Sequence, residues 1–295
     1  MKRVSVIVPN YNYSRYLEQR FSSIFAQTYP IFEIIVLDDA STDKSVEIIE
    51  ACLAKSEINS LLIKSDQNSG SVFQQWQKGV SHARGDFIWI CEADDLSDGS
   101  FLEKVMDKFN NRDVVMSYAQ SRQVDENDRL IAESYLKYTN GISTEQWKND
   151  YICDGKEELS RSLSIKNTIP NVSAVVFKKD VLQNALDTCS DDLLKLNVVG
   201  DWLVYAEILR NGSIGYVAES LNTHRRHQTS ASMATTREQQ LTEIFFLQQY
   251  VSTIITVPQE IVEKAETYIQ NVSRDWGVQP DRNSPLLKRL LNRSE

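Results

Sequence analysis

Two clusters of carboxylates follow apolar stretches of the chain, and both have residue types that could do chemistry. The stretch WICEADD ends in Glu92, Asp94 and Asp95, and IIVLDDASTD places Asp38 and Asp39 after another apolar run. Carboxylates this close repel one another, so they need exposure to water or a cation. Mg²⁺ and Mn²⁺ prefer carboxylate oxygens and commonly share their site with substrate phosphates. The pattern therefore predicts a metal-assisted site for a phosphate-bearing ligand.

Each cluster also has an interpretation without chemistry. The acidic residues from Glu92 to Asp95 would then form a solvated loop that caps the following helix, and Asp39 would belong to an ordinary turn. The recurrence of acidic strand ends within one sheet favours a shared ligand site, because the carboxyl ends of parallel strands lie at one edge.

Alternating strand and helix patterns provide the framework for these clusters. Apolar, β-branched runs predict buried strands at 4–8, 34–37, 61–64 and 87–91. Amphipathic patterns predict helices between these strands, and Ser14 is the expected N-cap of the first helix. This rhythm predicts an α/β fold with a mostly parallel sheet flanked by helices.

The second half of the chain is less regular. The expected elements are strands at 114–118, 172–177 and 213–218, a helix at 201–210, and a polar excursion over about 120–168. Helical patterns at 239–251 and 259–269 flank Pro258 and predict an appended C-terminal helical segment.

Composition restricts the class of partner and compartment. The net charge of −9 over 295 residues argues against nucleic acid, because no basic excess is present to neutralise phosphates. The four cysteines are widely spaced and indicate neither a zinc site nor a disulfide framework. No run approaches about 18 apolar residues, so no membrane span is predicted. The expected location is the cytoplasm; the short basic C-terminal end leaves peripheral contact with the inner face of a membrane open.

Three stretches in this order resemble the family 2 glycosyltransferases of the GT-A fold: VSVIVPNYN, FAQTYPIFEIIVLDDASTDKS and ARGDFIWICEADD. The resemblance resumes at VVGDWLVYAEILRNG and HRRHQTSAS. We accordingly predict a GT-A glycosyltransferase domain over residues 1–232 and a C-terminal helical tail over 233–295. Within the domain, 1–119 would be the nucleotide-sugar-binding half and 120–232 the acceptor-binding half.

The resemblance implies residues for the nucleotide end of the donor site. Pro9 and Tyr11 would line the pocket for the base, where an aromatic ring can stack. Asp39 would accept a hydrogen bond from uracil or another base, and Asp66 would lie beside that base.

The family's acidic motif is usually Asp-x-Asp or Asp-x-Asp-Asp, and this chain has Glu92 at the first position. The resemblance implies that Glu92 and Asp94 contact the nucleotide and that Asp94 and Asp95 share the roles of metal ligand and ribose contact. The implied cofactor is Mn²⁺ or Mg²⁺.

The later stretches supply the implied catalytic and phosphate contacts. Asp201, at a helix start, would stay ionised and act as the base that deprotonates the acceptor hydroxyl. His227 would approach the metal or the diphosphate, and Arg225 and Arg226 would pair with phosphate oxygens.

The implied reaction is transfer of one sugar from a nucleoside-diphosphate sugar, with a UDP-sugar expected, by direct displacement with inversion. The acceptor would be a hydroxyl of a glycan or of a lipid-linked saccharide, as in cell-envelope polysaccharide biosynthesis. The Gln-x-x-Arg-Trp motif of processive synthases is absent, which favours single transfers. The alternative is a non-catalytic nucleotide-sugar or glycan binding module on the same fold.

Overall fold

The structure is a computed structural model that describes residues 2–227 and 235–292. The chain divides into two compact units. The first unit comprises Met1–Ile152, Asn171–Asp187 and Gly215–Arg226, and the second comprises Cys153–Pro170, Thr188–Ile214 and His227–Glu295. The division into a domain over 1–232 and a tail over 233–295 stays a prediction.

The first unit contains the predicted parallel sheet. Its parallel strands are β1 (Val4–Asn10), β2 (Glu33–Asp38), β3 (Ser60–Lys64) and β4 (Phe87–Ile90). The helices between them are α1 (Ser14–Phe25), α2 (Ser45–Leu53) and α3 (Val72–His82). Strands β1, β2 and β4 are buried along their whole length, which agrees with their continuous apolar runs. The predicted α/β class is confirmed.

Antiparallel neighbours extend this sheet beyond β4. The further strands are β5 (Leu96–Ser97), β6 (Val114–Asp125), β7 (Leu130–Ala132), β8 (Tyr151–Asp154), β9 (Val175–Lys178) and β10 (Ser213–Arg226). The strand order is β3-β2-β1-β4-β9-β6-β10-β5, and β9 runs antiparallel to both β4 and β6. The helices α4 (Phe101–Lys108) and α5 (Leu136–Thr139) accompany these strands.

Several predicted boundaries were wrong: β6 runs to Asp125 instead of residue 118, β9 begins at Val175 instead of residue 172, and the predicted excursion over 120–168 contains β7, α5, β8 and a further helix, α6 (Gly155–Glu158).

Two further differences have a clear physical reason. Strand β10 continues to Arg226 rather than ending near residue 218, because its polar residues are paired within the sheet. Ser14 is the first residue of α1 and not its cap, since the capping position is Tyr13. The Ser14 backbone amide instead donates to Asp43 Oδ2 at 3.0 Å, so a neighbouring loop satisfies the helix start.

Helix α3 approaches the sheet unusually closely at Gly79. A Cβ atom at this position would lie 2.5 Å from Ile7 Cγ2 and 3.0 Å from Leu37 Cδ1. Only glycine therefore permits this spacing without displacement of the core, and the close approach fixes the height of α3 above β1 and β2.

The second unit is mainly helical. Its helices are α6 (Gly155–Glu158), α8 (Gly200–Leu209), α9 (Arg237–Ile254), α10 (Gln259–Trp276) and α11 (Pro285–Asn292), and α7 (Lys179–Leu193) ends in it. A π-helical turn, Leu159–Leu163, follows α6. The predicted C-terminal helices are confirmed and are longer than expected. Among the described helices, none has both the length and the apolar character that a membrane span needs.

Candidate functional site

The carboxyl ends of β1 and β2 are joined by side-chain hydrogen bonds. Asn10 Nδ2 donates to Asp38 Oδ2 at 2.8 Å and to Ser41 Oγ at 3.0 Å. Asn12, which has a left-handed φ of 60°, accepts the Thr42 backbone amide at 2.8 Å through Oδ1. These bonds hold two adjacent loops in one arrangement at the edge where a parallel sheet binds its ligands.

Asp39 follows β2 and is the most firmly held of the predicted nucleotide contacts. The Ser69 backbone amide and Ser69 Oγ donate to Asp39 Oδ2 at 2.9 and 2.7 Å, and Gln75 Nε2 donates to Oδ1 at 2.7 Å. The side chain is only 5% exposed. Three donors from the start of α3 and the preceding loop therefore fix the orientation of this carboxylate.

Gln75 was missed by the sequence interpretation, although a signal was present. It lies one helical turn before Gly79, on the face of α3 that packs against the sheet, where an amide requires a partner. Its Nε2 also donates to Ser69 Oγ at 3.0 Å.

The other residues predicted to surround a base lie at neighbouring strand ends. Pro9 is buried within β1, opposite Leu37 of β2 in the sheet register. Tyr11 directly follows β1 and is 44% exposed, and Asp66 is an exposed residue just beyond β3. The arrangement leaves the Tyr11 ring accessible for stacking; the individual roles of these residues stay predictions.

The acidic motif after β4 concentrates negative charge. Glu92 receives the Trp76 indole N–H at 3.3 Å, and its backbone amide donates to Ser173 Oγ at 3.0 Å. Burial, together with the nearby charges of Asp94 and Asp95, raises the pKa of Glu92 to about 8. A bound cation would relieve this repulsion.

Asp95 is anchored by donors from other parts of the first unit. Asn171 Nδ2 and Ser173 Oγ donate to Asp95 Oδ2 at 2.8 and 2.7 Å, and the Arg225 backbone amide donates to Oδ1 at 3.0 Å. The residue is 2% exposed, whereas Asp94 is half-buried. This geometry gives Asp95 a structural role and makes Asp94 the better placed of the two for contact with a ligand.

A buried polar network extends from Asp95 into β10. Asn222, which is fully buried, donates through Nδ2 to Ser121 Oγ at 3.0 Å and to Asn171 Oδ1 at 3.2 Å. The network gives the buried Asn222 amide nitrogen two acceptors, which allows a polar residue to continue the strand here. Sequence reasoning missed it because its members are far apart along the chain.

Arg225 and Arg226 have different surroundings. The buried Arg225 guanidinium donates to the Asp94 carbonyl oxygen at 2.8 Å and to Asp128 Oδ1 at 2.6 Å, and it lies 4.6 Å from the centre of the Tyr16 ring. It therefore fixes the backbone of the acidic motif, and this geometry does not support its predicted contact with phosphate. Arg226 is exposed, and its phosphate role stays a prediction.

The second unit carries Asp201 near the start of α8. Its Oδ1 accepts the Trp202 backbone amide at 2.7 Å, and its Oδ2 accepts from Asn167 Nδ2 at 3.2 Å. Burial raises the pKa of Asp201 to about 6, against the lowering effect of these hydrogen bonds. This value is suited to a base that works near neutral pH.

His227, half-buried in the same unit, keeps its predicted role, and residues 228–232 of HRRHQTSAS lie outside the described residues.

The residues of the acidic motif fit a hard divalent cation that is completed by a ligand. Among the described residues, no three His, Cys, Asp or Glu side chains come together as a metal cage. Mg²⁺ in nucleotide sites usually takes one or two carboxylates, with substrate phosphates and water supplying the remaining oxygens. The half-buried carboxylates of Asp94 and Glu92 provide such a donor set.

Comparison with known proteins shows which sequences and folds the chain is similar to. Residues 5–166 match the family model described as glycosyl transferase family 2. An uncharacterized glycosyltransferase of Nostoc sp. (strain PCC 7120), alr2836, is 27% identical over 245 residues, which cover 80% of this chain and 70% of that relative.

Two solved structures share the fold at low sequence identity. Staphylococcus aureus TarS 1-349 in complex with UDP-GlcNAc superposes with a TM-score of 0.68 and 17% identity, covering 100% of this chain and 80% of that chain. The mannosyltransferase PcManGT from Pyrobaculum calidifontis, in complex with GDP-Man and Mn²⁺, gives a TM-score of 0.61 and 14% identity, covering 99% and 74%. The likeness shows that the chain has the GT-A fold.

Proposed function

The chain belongs to glycosyl transferase family 2, and on that basis we propose that it transfers one sugar from a UDP-sugar to a hydroxyl group with inversion. The acceptor would be a glycan or a lipid-linked saccharide. The observation that carries the proposal is the pairing of a firmly oriented Asp39 with the acidic motif of Glu92 and Asp94 in one unit. The first suits recognition of a base, and the second suits the metal-bound phosphates of a nucleotide.

Recognition of the donor would begin at the base. A carboxylate held by three donors keeps its position when a ligand arrives, so Asp39 loses little freedom on accepting a further N–H from the base. The exposed Tyr11 would stack on the base, and Pro9 and Asp66 would complete the pocket.

The diphosphate would be held beside the acidic motif. Asp94 and Glu92 are the residues that would hold Mn²⁺ or Mg²⁺, with His227 and Arg226 as further contacts to the diphosphate. When bound, the cation would neutralise charge that develops on the leaving nucleoside diphosphate. Asp95 and Arg225 would keep the backbone of the motif in place through their buried hydrogen bonds.

Asp201 would take the proton of the acceptor hydroxyl as that oxygen forms its bond to the anomeric carbon. The bond from the anomeric carbon to the diphosphate breaks in the same displacement, so the configuration inverts. With a pKa of about 6, the Asp201 carboxylate is mostly ionised at pH 7 and can accept the proton.

An assay of nucleotide release tests this proposal. The protein would be incubated with a panel of UDP-sugars and GDP-mannose, with Mn²⁺ and a mixture of saccharide acceptors. We expect turnover with at least one UDP-sugar, and Asp201→Asn should reduce it about 10²–10⁴-fold while UDP binding persists. Turnover that is unaffected by Asp201→Asn would remove the base assignment.

A binding module is the second candidate. Glu92, in place of the aspartate that is usual at the first position of the family's acidic motif, favours it. A binding module would bind UDP or a glycan and release no nucleotide from any donor, so the same assay distinguishes the two functions.

A further inference from the structure

Asn167 bridges two parts of the second unit. Its Nδ2 donates to Asp201 Oδ2 at 3.2 Å, while its Oδ1 accepts the Ile169 backbone amide at 3.0 Å. Because the side-chain oxygen of Asn167 is bound to the Ile169 amide, the N–H₂ group on the other side of the Asn167 side-chain amide faces Asp201. Asn167 is therefore oriented as a donor to the carboxylate.

A second pair of contacts holds Asp201 from the helix side. The Trp202 backbone amide donates to Asp201 Oδ1 at 2.7 Å, and the Trp202 indole N–H donates to the Leu163 carbonyl at 3.0 Å. The start of α8 is thus joined at two points to the segment 163–167. Both carboxylate oxygens have donors whose own positions are fixed.

Helix α9 supports both sides of this arrangement. The buried Gln248 amide donates to the Ile165 carbonyl at 2.9 Å, two residues before Asn167. Glu243 lies about one and a half turns before Gln248 in α9. Its Oε2 accepts the backbone amide of Val198 at 2.9 Å, and Val198 is three residues before Asp201. The C-terminal helical segment therefore contacts the two stretches that carry the pair.

We propose that Asn167 is a positioning residue for Asp201 and that α9 braces the two. The inference rests on the proposed function, in which Asp201 is the base. Asn167 would hold the ionised carboxylate in the rotamer that faces the acceptor hydroxyl, and would favour the ionised form by donating to it.

Among the side chains around Asp201, the Asn167 amide has the main effect on the pKa of the carboxyl group. Its pKa is raised by burial and lowered by the N–H groups of Trp202 and Asn167. The neighbouring Lys166 is buried and places its ammonium 5.6 Å from the centre of the Tyr268 ring. Glu207, on the same helix as Asp201, pairs with Arg210 at 3.0 Å.

Substitution of Asn167 tests the proposal. Asn167→Leu removes the donor at similar volume, and Asn167→Ser retains a shorter one in case the first variant folds poorly. We expect kcat to fall about 10- to 100-fold in Asn167→Leu, with the Kd for UDP within twofold of the wild type. The acidic limb of the pH profile of kcat should move up by about one pH unit, because the charged form loses a hydrogen bond. Asn167→Ser should lie between the two.

Asn211→Leu, an exposed position just after α8, is the matched control and should leave kcat and the pH profile unchanged. Gln248→Leu should reproduce part of the loss in kcat without a change in UDP affinity. A wild-type kcat and pH profile in both Asn167 variants, with Asp201→Asn inactive, would overturn the positioning role alone. Full activity of Asp201→Asn would instead overturn the base assignment of the proposed function.

Discussion

The side-chain amide of Gln75 donates to Asp39 Oδ1 at 2.7 Å and is itself buried. Ser69 supplies the two donors to the other oxygen, so the carboxylate is oriented from both sides. The residue that would read the base is thus positioned before any nucleotide arrives. This preorganisation reduces the entropy lost on binding.

Removal of that amide should weaken nucleotide binding. In Gln75→Leu, we expect the Kd for UDP to rise about tenfold, because Asp39 loses a charge-assisted hydrogen bond and its fixed orientation. Calorimetric titration with UDP measures the change. Gln74→Leu, on the exposed side of the same helix, is the control and should bind UDP as the wild type does. Equal affinity in both variants would show that Gln75 has no part in recognition.

Asp94 and Asp95 should respond in opposite ways to replacement by asparagine. Asp95→Asn should lower the free energy of unfolding by about 1–3 kcal/mol, since a buried acceptor of three hydrogen bonds gains a misplaced N–H₂ group. Asp94→Asn should leave the free energy of unfolding within about 0.5 kcal/mol of the wild type. In this variant the Kd for UDP should be the same with and without Mn²⁺. Urea unfolding without ligand and titration with UDP separate the two effects. A stable Asp95→Asn protein would contradict the structural role of Asp95.

The pH dependence of turnover should report the base. The pKa of Asp201 is raised to about 6, so kcat should fall as the pH drops below about 6 and level off above 7. Because the folded protein binds this proton more tightly than the unfolded chain does, the contribution of Asp201 to stability declines as pH rises through 6. Rates measured from pH 5 to 8 check the first statement. A flat profile over this range would mean that another group, or none, takes the proton.

The close packing of α3 on the sheet should make Gly79 sensitive to enlargement. Gly79→Ala places a methyl group against Ile7 and should lower the free energy of unfolding by about 1–3 kcal/mol. Gly141→Ala, where nothing lies within 4 Å of the added atom, is the control and should change stability little. Urea denaturation measures the free energy of unfolding of both variants. If Gly79→Ala were as stable as Gly141→Ala, α3 could shift away from the sheet without loss of stability.

The sequence was sufficient for those parts of the fold in which the signal is local. Continuous apolar runs predicted the four parallel strands, and the acidic residues after β2 and β4 indicated where a ligand would bind. The structure confirms the strands, and it places Asp39 directly after β2 and Glu92 two residues after the end of β4.

Contacts between distant residues were beyond the reach of local patterns. The anchoring of Asp95 by Asn171 and Ser173, and of Asp201 by Asn167, depends on segments that meet only in the folded chain. The full length of β10 was not predicted for the same reason. Its polar residues are stabilised by partners across the sheet and show no alternation of apolar residues.

The measurement that tests the central claim most directly is calorimetric titration of UDP into the protein with and without Mn²⁺. The wild type and Asp94→Ala would be compared, with the exposed Asp113→Ala as control. We predict that UDP binding requires Mn²⁺, weakens at least tenfold in Asp94→Ala and is unchanged in Asp113→Ala. Absence of binding by UDP, GDP and dTDP under every metal condition would contradict the assignment of the acidic motif to a nucleotide-sugar site.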